Sequence, residues 1–180
     1  MKRRILSLAA AAALLCACSD QQEAPPLTRD LTADGAALLA PFKSSLMQAL
    51  SAGMEEGPAA AIDVCSVKAP RIADELSVDG VRMGRSSHKL RNPNNAPPDW
   101  LVPVLESYTA GEAGPQPTTV EIAADRHGYV EPIITQPLCL TCHGSNLDAD
   151  IAASIAERYP EDRATGFEAG DLRGVFWVEY

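Results

Sequence analysis

The sequence lacks a long hydrophobic run: its longest apolar segment, from Ile5 to Leu15, is much shorter than the about 20 residues that a transmembrane helix needs. Positive charge is also scarce, with 15 Lys and Arg residues against 24 Asp and Glu. This balance argues against partners such as nucleic acid or anionic lipid. There is no internal repeat, and no Ser/His/Asp arrangement, phosphate-binding loop or paired-carboxylate motif suggests an enzyme of a familiar hydrolytic or phosphoryl-transfer type.

The N-terminus predicts export. The segment "MKRRILSLAAAAALLCACSD" combines three basic residues with a short apolar run, which is typical of a signal peptide. Its end resembles the bacterial lipobox, in which a small residue precedes an acylated cysteine. Cys18 fits that position better than Cys16, because Ala17 is small and Leu15 is bulky. The alternative is a soluble exported protein cleaved after Ala17.

Acylation of Cys18 predicts stable membrane attachment, since several acyl chains bind much more strongly than one. Ser19 resembles an outer-membrane sorting residue, so we expect a lipoprotein of the bacterial cell envelope that faces the periplasm. Without the three basic residues of the signal peptide, 12 Lys and Arg remain against 24 acidic residues, a net charge of −12.

The domain organisation follows from composition. We expect a signal peptide over residues 1–17, a flexible tether over residues 18–30 and one folded domain over residues 31–180. A chain of this size buries enough surface to fold without a disulfide framework. Once Cys16 is removed and Cys18 is acylated, three cysteines remain in the domain: Cys65, Cys139 and Cys142.

Hydrophobic periodicity predicts an α+β domain. Apolar residues at spacings of three and four indicate a helix over residues 39–54 and a second over residues 62–76, which Pro70 should kink or break and on which Cys65 faces the core. A short strand around residues 81–83, a helix over residues 98–108 and a hairpin that turns at "DRHG" follow. A last helix ends at Pro160, and "DLRGVFWVEY" forms a final strand.

The segment "QPLCLTCHGSN" contains Cys139, Cys142 and His143 in the spacing Cys-x-x-Cys-His, the attachment motif of c-type haem. The two thiols add to the haem vinyl groups, and the histidine becomes the proximal iron ligand. Three alternatives compete: a thioredoxin-like dithiol, a zinc site that also uses Cys65, and a local disulfide. Pro137 and Gly144 predict that the motif lies in a loop, which disfavours the dithiol.

The distal iron ligand stays open at this point. Cys65 is the leading residue, with His88 and Met83 as alternatives, whereas His127 in the hairpin turn should lie at the surface. Arginine pairs well with carboxylates, so the basic cluster before residue 92 could bind the two haem propionates. This cluster consists of Arg82, Arg85, Lys89 and Arg91.

Four stretches together resemble a c-type haem family first catalogued as a domain of unknown function: "AAIDVCSVKAPRIADELS", "MGRSSHKLRNPNNAPPDW", "CLTCHG" and "YPEDRATGFEAGDLRGVFWV". The resemblance covers most of residues 35–180. It implies a PAS-like fold and one covalent haem c, with His143 and Cys65 as axial ligands. His88 departs from the family pattern, because an apolar residue is expected there.

The sequence therefore predicts an exported monohaem c-type cytochrome that transfers electrons to an unidentified redox partner or senses redox state or a gas. A thiolate ligand favours ferric iron and implies a low reduction potential. The alternative is a haem enzyme of the peroxidase or nitrogen-oxide reductase type, which would need a labile distal site.

Overall fold

The computed structural model describes residues 29–180. The predicted signal peptide, the lipidation site Cys18 and nearly all of the tether lie outside the described residues. Within them the chain forms six α-helices and four strands, with these bounds: α1 Leu31–Glu56, α2 Pro58–Asp63, α3 Ala69–Leu76, β1 Arg82–Ser86, α4 Val102–Thr109, β2 Thr118–Ala123, β3 Arg126–Ile134, α5 Leu140–His143, α6 Ala149–Arg158 and β4 Leu172–Glu179.

Helix α1 begins eight residues before the predicted start at residue 39. The carboxylate of Asp30 caps it by accepting a hydrogen bond from the backbone N–H of Ala33 at 3.0 Å. Pro41 lies inside the helix without ending it, because the helix is held on the sheet by buried side chains on both sides of the proline. The predicted end at "EEGP" is confirmed, since Gly57 with φ of +119° follows Glu56.

The second predicted helix is continuous but irregular. Helices α2 and α3 are joined by a π-helical turn, Val64–Lys68, which contains Cys65. Pro70 lies at the start of α3 and does not break the helix. A proline lacks the backbone N–H and crowds the carbonyl four residues before it, and the wider π turn accommodates both effects.

The four strands form one antiparallel sheet in the order β1-β4-β3-β2. The chain's last strand therefore lies inside the sheet, where Phe176 pairs with Arg85 of β1 and Glu131 of β3. Strands β2 and β3 form the predicted hairpin, but its turn is at Ala124 and Asp125, and "RHG" belongs to β3. Asp125 has φ of +59°, which an aspartate in a tight turn tolerates.

Both faces of the sheet are covered. On one face, α1 buries Leu39 and Phe42 against Met83, Tyr129 and Val178. On the other face, Leu105 and Tyr108 of α4 pack against Val130 and Val175. Leu101, in the 3₁₀ turn directly before α4, belongs to the same buried cluster. The α+β fold with helices around an antiparallel sheet is confirmed. No helix within residues 29–180 combines the length and the apolar character that crossing a membrane requires.

The segment with the Cys-x-x-Cys-His motif is helical rather than the predicted loop. A 3₁₀ turn, Pro137–Cys139, runs directly into α5, which ends at His143. Gly144 follows with extended backbone, and its N–H donates to the carbonyl of Leu140 at 3.0 Å. This compact turn is separated from the end of β3 by two residues, so the motif lies at one end of the sheet.

Candidate functional site

A cavity of about 410 Å³ lies beside the motif, a volume within the range of small-molecule and cofactor sites. Its walls come from the second half of α1, the π turn with the end of α2, the sheet, and the motif segment. Apolar side chains of α1 form one wall: Leu46, Met47, Leu50 and Met54. The cavity is therefore enclosed by elements that are far apart in sequence.

All three residues of the predicted attachment motif line this cavity, namely Cys139, Cys142 and His143. The two motif cysteines and Cys65 are free thiols. Residues 29–180 contain no group of three or more His, Cys, Asp or Glu side chains arranged to hold a metal ion. The zinc and disulfide alternatives therefore gain no support from the described part of the chain.

The orientation of His143 is set by a hydrogen bond. Its Nδ1 lies 2.7 Å from the carbonyl oxygen of Ala164, and because a carbonyl can only accept, Nδ1 carries the proton. Burial, reinforced by the positive charges of Arg173 and Arg91, lowers the pKa of His143 to about 3. The imidazole is thus neutral, with the lone pair of Nε2 available to a metal.

Cys65 reaches the same cavity from the π turn. The expectation that it faces the hydrophobic core is corrected: the residue is only partly buried and lines the cavity wall. Burial raises the pKa of the Cys142 thiol, and the nearby Cys65 thiol raises it further. Cys65 and His143 are 78 positions apart in the sequence, and the fold brings both to one cavity.

The two alternative distal residues lie elsewhere. His88 lines a separate small cleft with Lys89 and Phe167, and its ring centroid is 5.8 Å from that of Phe167. Met83 is buried in the core between α1 and the sheet. Of the three residues proposed from sequence, Cys65 alone belongs to the cavity lining found within residues 29–180. His127 is partly buried, and its ring lies 6.0 Å from that of Tyr180.

Arg91 is buried and its guanidinium is already paired. Its Nε and Nη2 donate to the two carboxylate oxygens of Asp162, both at 3.1 Å. Nη2 also donates to the carbonyls of Cys142 at 2.6 Å and Ala164 at 3.2 Å. This network makes Arg91 a positioning residue for the motif, and its predicted role at a propionate stays a prediction.

The remaining members of the basic cluster diverge. Arg85 lines the cavity. Arg82 pairs with Glu179 at 3.6 Å, and the ammonium group of Lys89 lies 4.7 Å above the ring of Phe167. Sequence reasoning missed Arg173, whose Nη2 lies 3.5 Å from His143 Nε2. The available signal was a single arginine near the start of strand β4, whose other residues up to Val178 are apolar or glycine.

These features define a class: a small α+β domain with a helix-flanked antiparallel sheet and one cavity lined by a Cys-x-x-Cys-His motif. The chain belongs to the Tll0287-like family, whose model matches residues 9–180. This confirms the family resemblance, including its PAS-like fold. No curated protein matches the chain.

Among solved structures, the chain is similar to the crystal structure of the cyanobacterial heme-protein Tll0287. The two share 27% sequence identity with a TM-score of 0.52. The matched region covers 77% of this chain and 91% of that one. The likeness therefore extends over nearly the whole of the cyanobacterial protein.

Proposed function

We propose that this protein is a monohaem c-type cytochrome that transfers electrons or senses redox state. The observation that carries the proposal is the convergence of Cys139, Cys142, His143 and Cys65 on one cavity. The family match and the similarity to a cyanobacterial heme-protein support haem as the cofactor.

The other side chains of the cavity also suit a haem. The cavity walls are largely apolar, and the lining within residues 29–180 contains no Asp or Glu although the chain is acidic overall. Basic side chains are present at Lys43, Arg85, Arg91 and Arg173. A haem is a largely apolar macrocycle with two carboxylates at one edge. It therefore matches a cavity that has apolar walls and several basic side chains.

In this proposal Cys139 and Cys142 form the two thioether bonds, and Nε2 of His143 is the proximal iron ligand. Cys65 supplies the distal ligand as a thiolate. A thiolate favours ferric iron, so the reduction potential should be low, and two protein ligands leave no open coordination position. Release of Cys65 on reduction would expose the iron and connect redox state to ligand binding.

The covalent haem is tested by a pyridine haemochrome assay on denatured protein made with the c-type maturation machinery. We expect one haem per chain that stays attached after denaturation. The Cys139→Ala/Cys142→Ala double variant should lose this attachment. A wild-type chain without attached haem under these conditions overturns the proposal.

The distal ligand is tested by electron paramagnetic resonance and absorption spectra of the ferric protein. We expect a low-spin thiolate signature in the wild type that disappears in Cys65→Ala. The matched control is Ser66→Ala, which removes a neighbouring side chain of the same π turn. A Cys65→Ala spectrum identical to that of the wild type would refute the assignment.

The enzyme alternative gains no specific support. It would need a labile distal site with an acid–base group beside it, whereas His88 lies in a different cleft and the cavity lining in the described part of the chain contains no Asp or Glu. A high-spin ferric state together with peroxide turnover by the purified protein would favour it over the cytochrome.

We also propose that the protein is anchored through acylated Cys18 in the cell envelope, facing the periplasm and most simply at the outer membrane. The lipobox-like sequence and Ser19 support this placement. Metabolic labelling with palmitate should mark the wild type and not Cys18→Ser, whereas Cys16→Ser should still be labelled. Labelling that persists in Cys18→Ser would disprove it.

A further inference from the structure

Arg173 is a partly buried cation without a carboxylate partner among residues 29–180. Its Nη1 donates to the hydroxyl of Ser87 at 3.1 Å, but its Nε is buried and has no hydrogen-bond partner. A guanidinium has five N–H donors, so most of its bonding capacity is unfilled. Buried polar groups nearly always find partners, which indicates that Arg173 serves a group other than its protein neighbours.

The contact of Arg173 with His143 does not supply that partner. Nη2 lies 3.5 Å from Nε2, which is too long for a strong hydrogen bond. The proposed function also assigns the single lone pair of Nε2 to iron. Arg173 therefore needs a different acceptor in the cavity that it shares with His143.

Two further arginines concentrate positive charge at this end of the cavity. Arg85 and Arg91 line the same cavity as Arg173. Asp162 offsets only part of this charge, because both of its oxygens are bonded to Arg91. Arg85 lines the same cavity as Arg173 and takes part in no salt bridge within the described chain.

We propose that Arg173, assisted by Arg85, binds a carboxylate of the cofactor, and that Arg91 does not. This inference rests on the proposed haem function. Ser87 holds the Arg173 side chain in place. Its hydroxyl donates to the backbone carbonyl of Arg173 at 2.7 Å and accepts from the Arg173 guanidinium at 3.1 Å. The side chain is thus held at the cavity wall with unfilled donors, as bidentate carboxylate binding requires.

The experiment uses full-length haem-loaded protein carrying Arg173→Gln, Arg173→Lys or Arg85→Gln. The matched control is Arg71→Gln, which removes the same charge from a side chain that is 73% exposed on α3. Covalent haem is measured by the haemochrome assay, the carboxylate environment by the propionate bands in resonance Raman spectra, and the reduction potential by spectroelectrochemistry.

We expect Arg173→Gln to keep its covalent haem, shift the propionate bands and lower the reduction potential, because ferric iron loses a nearby cation. Arg173→Lys should restore part of the reduction potential, because lysine keeps the charge but lacks the bidentate geometry. Arg85→Gln should shift the propionate bands and the reduction potential less than Arg173→Gln does. Propionate bands that match those of Arg71→Gln in both glutamine variants overturn the inference. Arg85 lies on β1 and Arg173 on β4. If Arg173→Gln fails to fold, the propionate bands of Arg85→Gln therefore test the inference.

A free small anion, rather than a carboxylate of the cofactor, is the alternative partner for the Arg173 guanidinium. Nitrite added to the ferric wild type should leave its absorption spectrum unchanged if cofactor carboxylates fill the site. A saturable nitrite effect that Arg173→Gln abolishes would overturn the inference. Absence of covalent haem in the wild type is a separate outcome, since it contradicts the proposed function itself.

Discussion

His143 and Ala164 are joined by a hydrogen bond of 2.7 Å from the imidazole Nδ1 to the backbone carbonyl oxygen. The same oxygen accepts a second hydrogen bond from Nη2 of Arg91, whose guanidinium is held by Asp162. The direction of the imidazole is therefore set by a segment about 20 residues further along the chain. Partners of this kind orient metal-binding histidines and tune the metal.

Replacing Arg91 with methionine should destabilise the fold strongly. The Arg91 and Asp162 side chains are only 9% and 10% exposed, so the variant leaves a buried carboxylate without its cation. Breaking such a pair costs about 3–5 kcal/mol in the free energy of unfolding. Urea denaturation measures this loss.

The double variant Arg91→Met/Asp162→Asn provides the matched comparison. Because asparagine carries no charge, it should recover part of the stability that the single variant loses. A double variant as unstable as Arg91→Met would show that the cost comes from the lost carbonyl contacts and not from the unpaired carboxylate.

His88→Ala should leave the ligand-sensitive bands of the ferric spectrum unchanged. The imidazole lies in the cleft beside Phe167 and not in the cavity with His143. Met83→Leu should behave in the same way, since Met83 packs in the core under α1. A shift of the low-spin bands in either variant that is as large as the shift in Cys65→Ala would make that residue the distal ligand.

Gly35→Ala should destabilise the domain although alanine favours helices over glycine by about 1 kcal/mol. A Cβ atom at position 35 would lie 2.3 Å from Cβ of Tyr129, so α1 would have to move away from the sheet. Overpacking of this kind costs about 1–3 kcal/mol in the free energy of unfolding.

Gly114→Ala is the control for this variant, because an added Cβ meets no heavy atom within 4 Å at that position. Its unfolding free energy should stay within about 0.5 kcal/mol of the wild-type value. Equal urea midpoints for Gly35→Ala and the wild type would show that α1 does not need this close approach.

Alkaline pH should weaken the fold through Tyr108. Burial raises the pKa of this phenol to about 12, and its hydroxyl donates to the carbonyl of Gln116 at 2.6 Å. In the unfolded chain the pKa is about 10. The contribution to stability is therefore complete below about pH 10 and is lost as the pH rises toward about 12.

Tyr108→Phe should be less stable at neutral pH by about 1 kcal/mol, because it lacks the hydrogen bond. Its stability should fall less steeply between about pH 10 and about pH 12 than that of the wild type, as urea denaturation at several pH values would show. Parallel decreases in the two proteins would assign the alkaline loss to other groups.

Local patterns predicted most of the elements and the attachment motif. The helical periodicity around Phe42 and the Cys-x-x-Cys-His spacing depend only on residues close in sequence, and so do the final strand and the motif histidine. The start of α1 was missed because small residues around Gly35 give a weak hydrophobic pattern.

Long-range relationships were beyond these patterns. Arg173 contacts His143 across 30 residues through the placement of β4 inside the sheet, and no periodicity encodes that placement. Arg91 was predicted to bind a carboxylate of the cofactor, and its ion pair with Asp162, 71 residues away, does not follow from local patterns. Sequence composition identifies such arginines without showing which are already paired.

The π turn from Val64 to Lys68 contains more residues per turn than an α-helix, so the direction of the Cys65 side chain depends on how many residues this turn contains. Deleting one residue between Cys65 and Pro70 could restore a regular α-helix, in which each residue turns the chain by about 100°. The sulfur would then point to a different side of an intact helix. A related chain could thus keep the cysteine, the helix and the Cys-x-x-Cys-His motif and still not bring that sulfur to the cavity that contains the motif histidine.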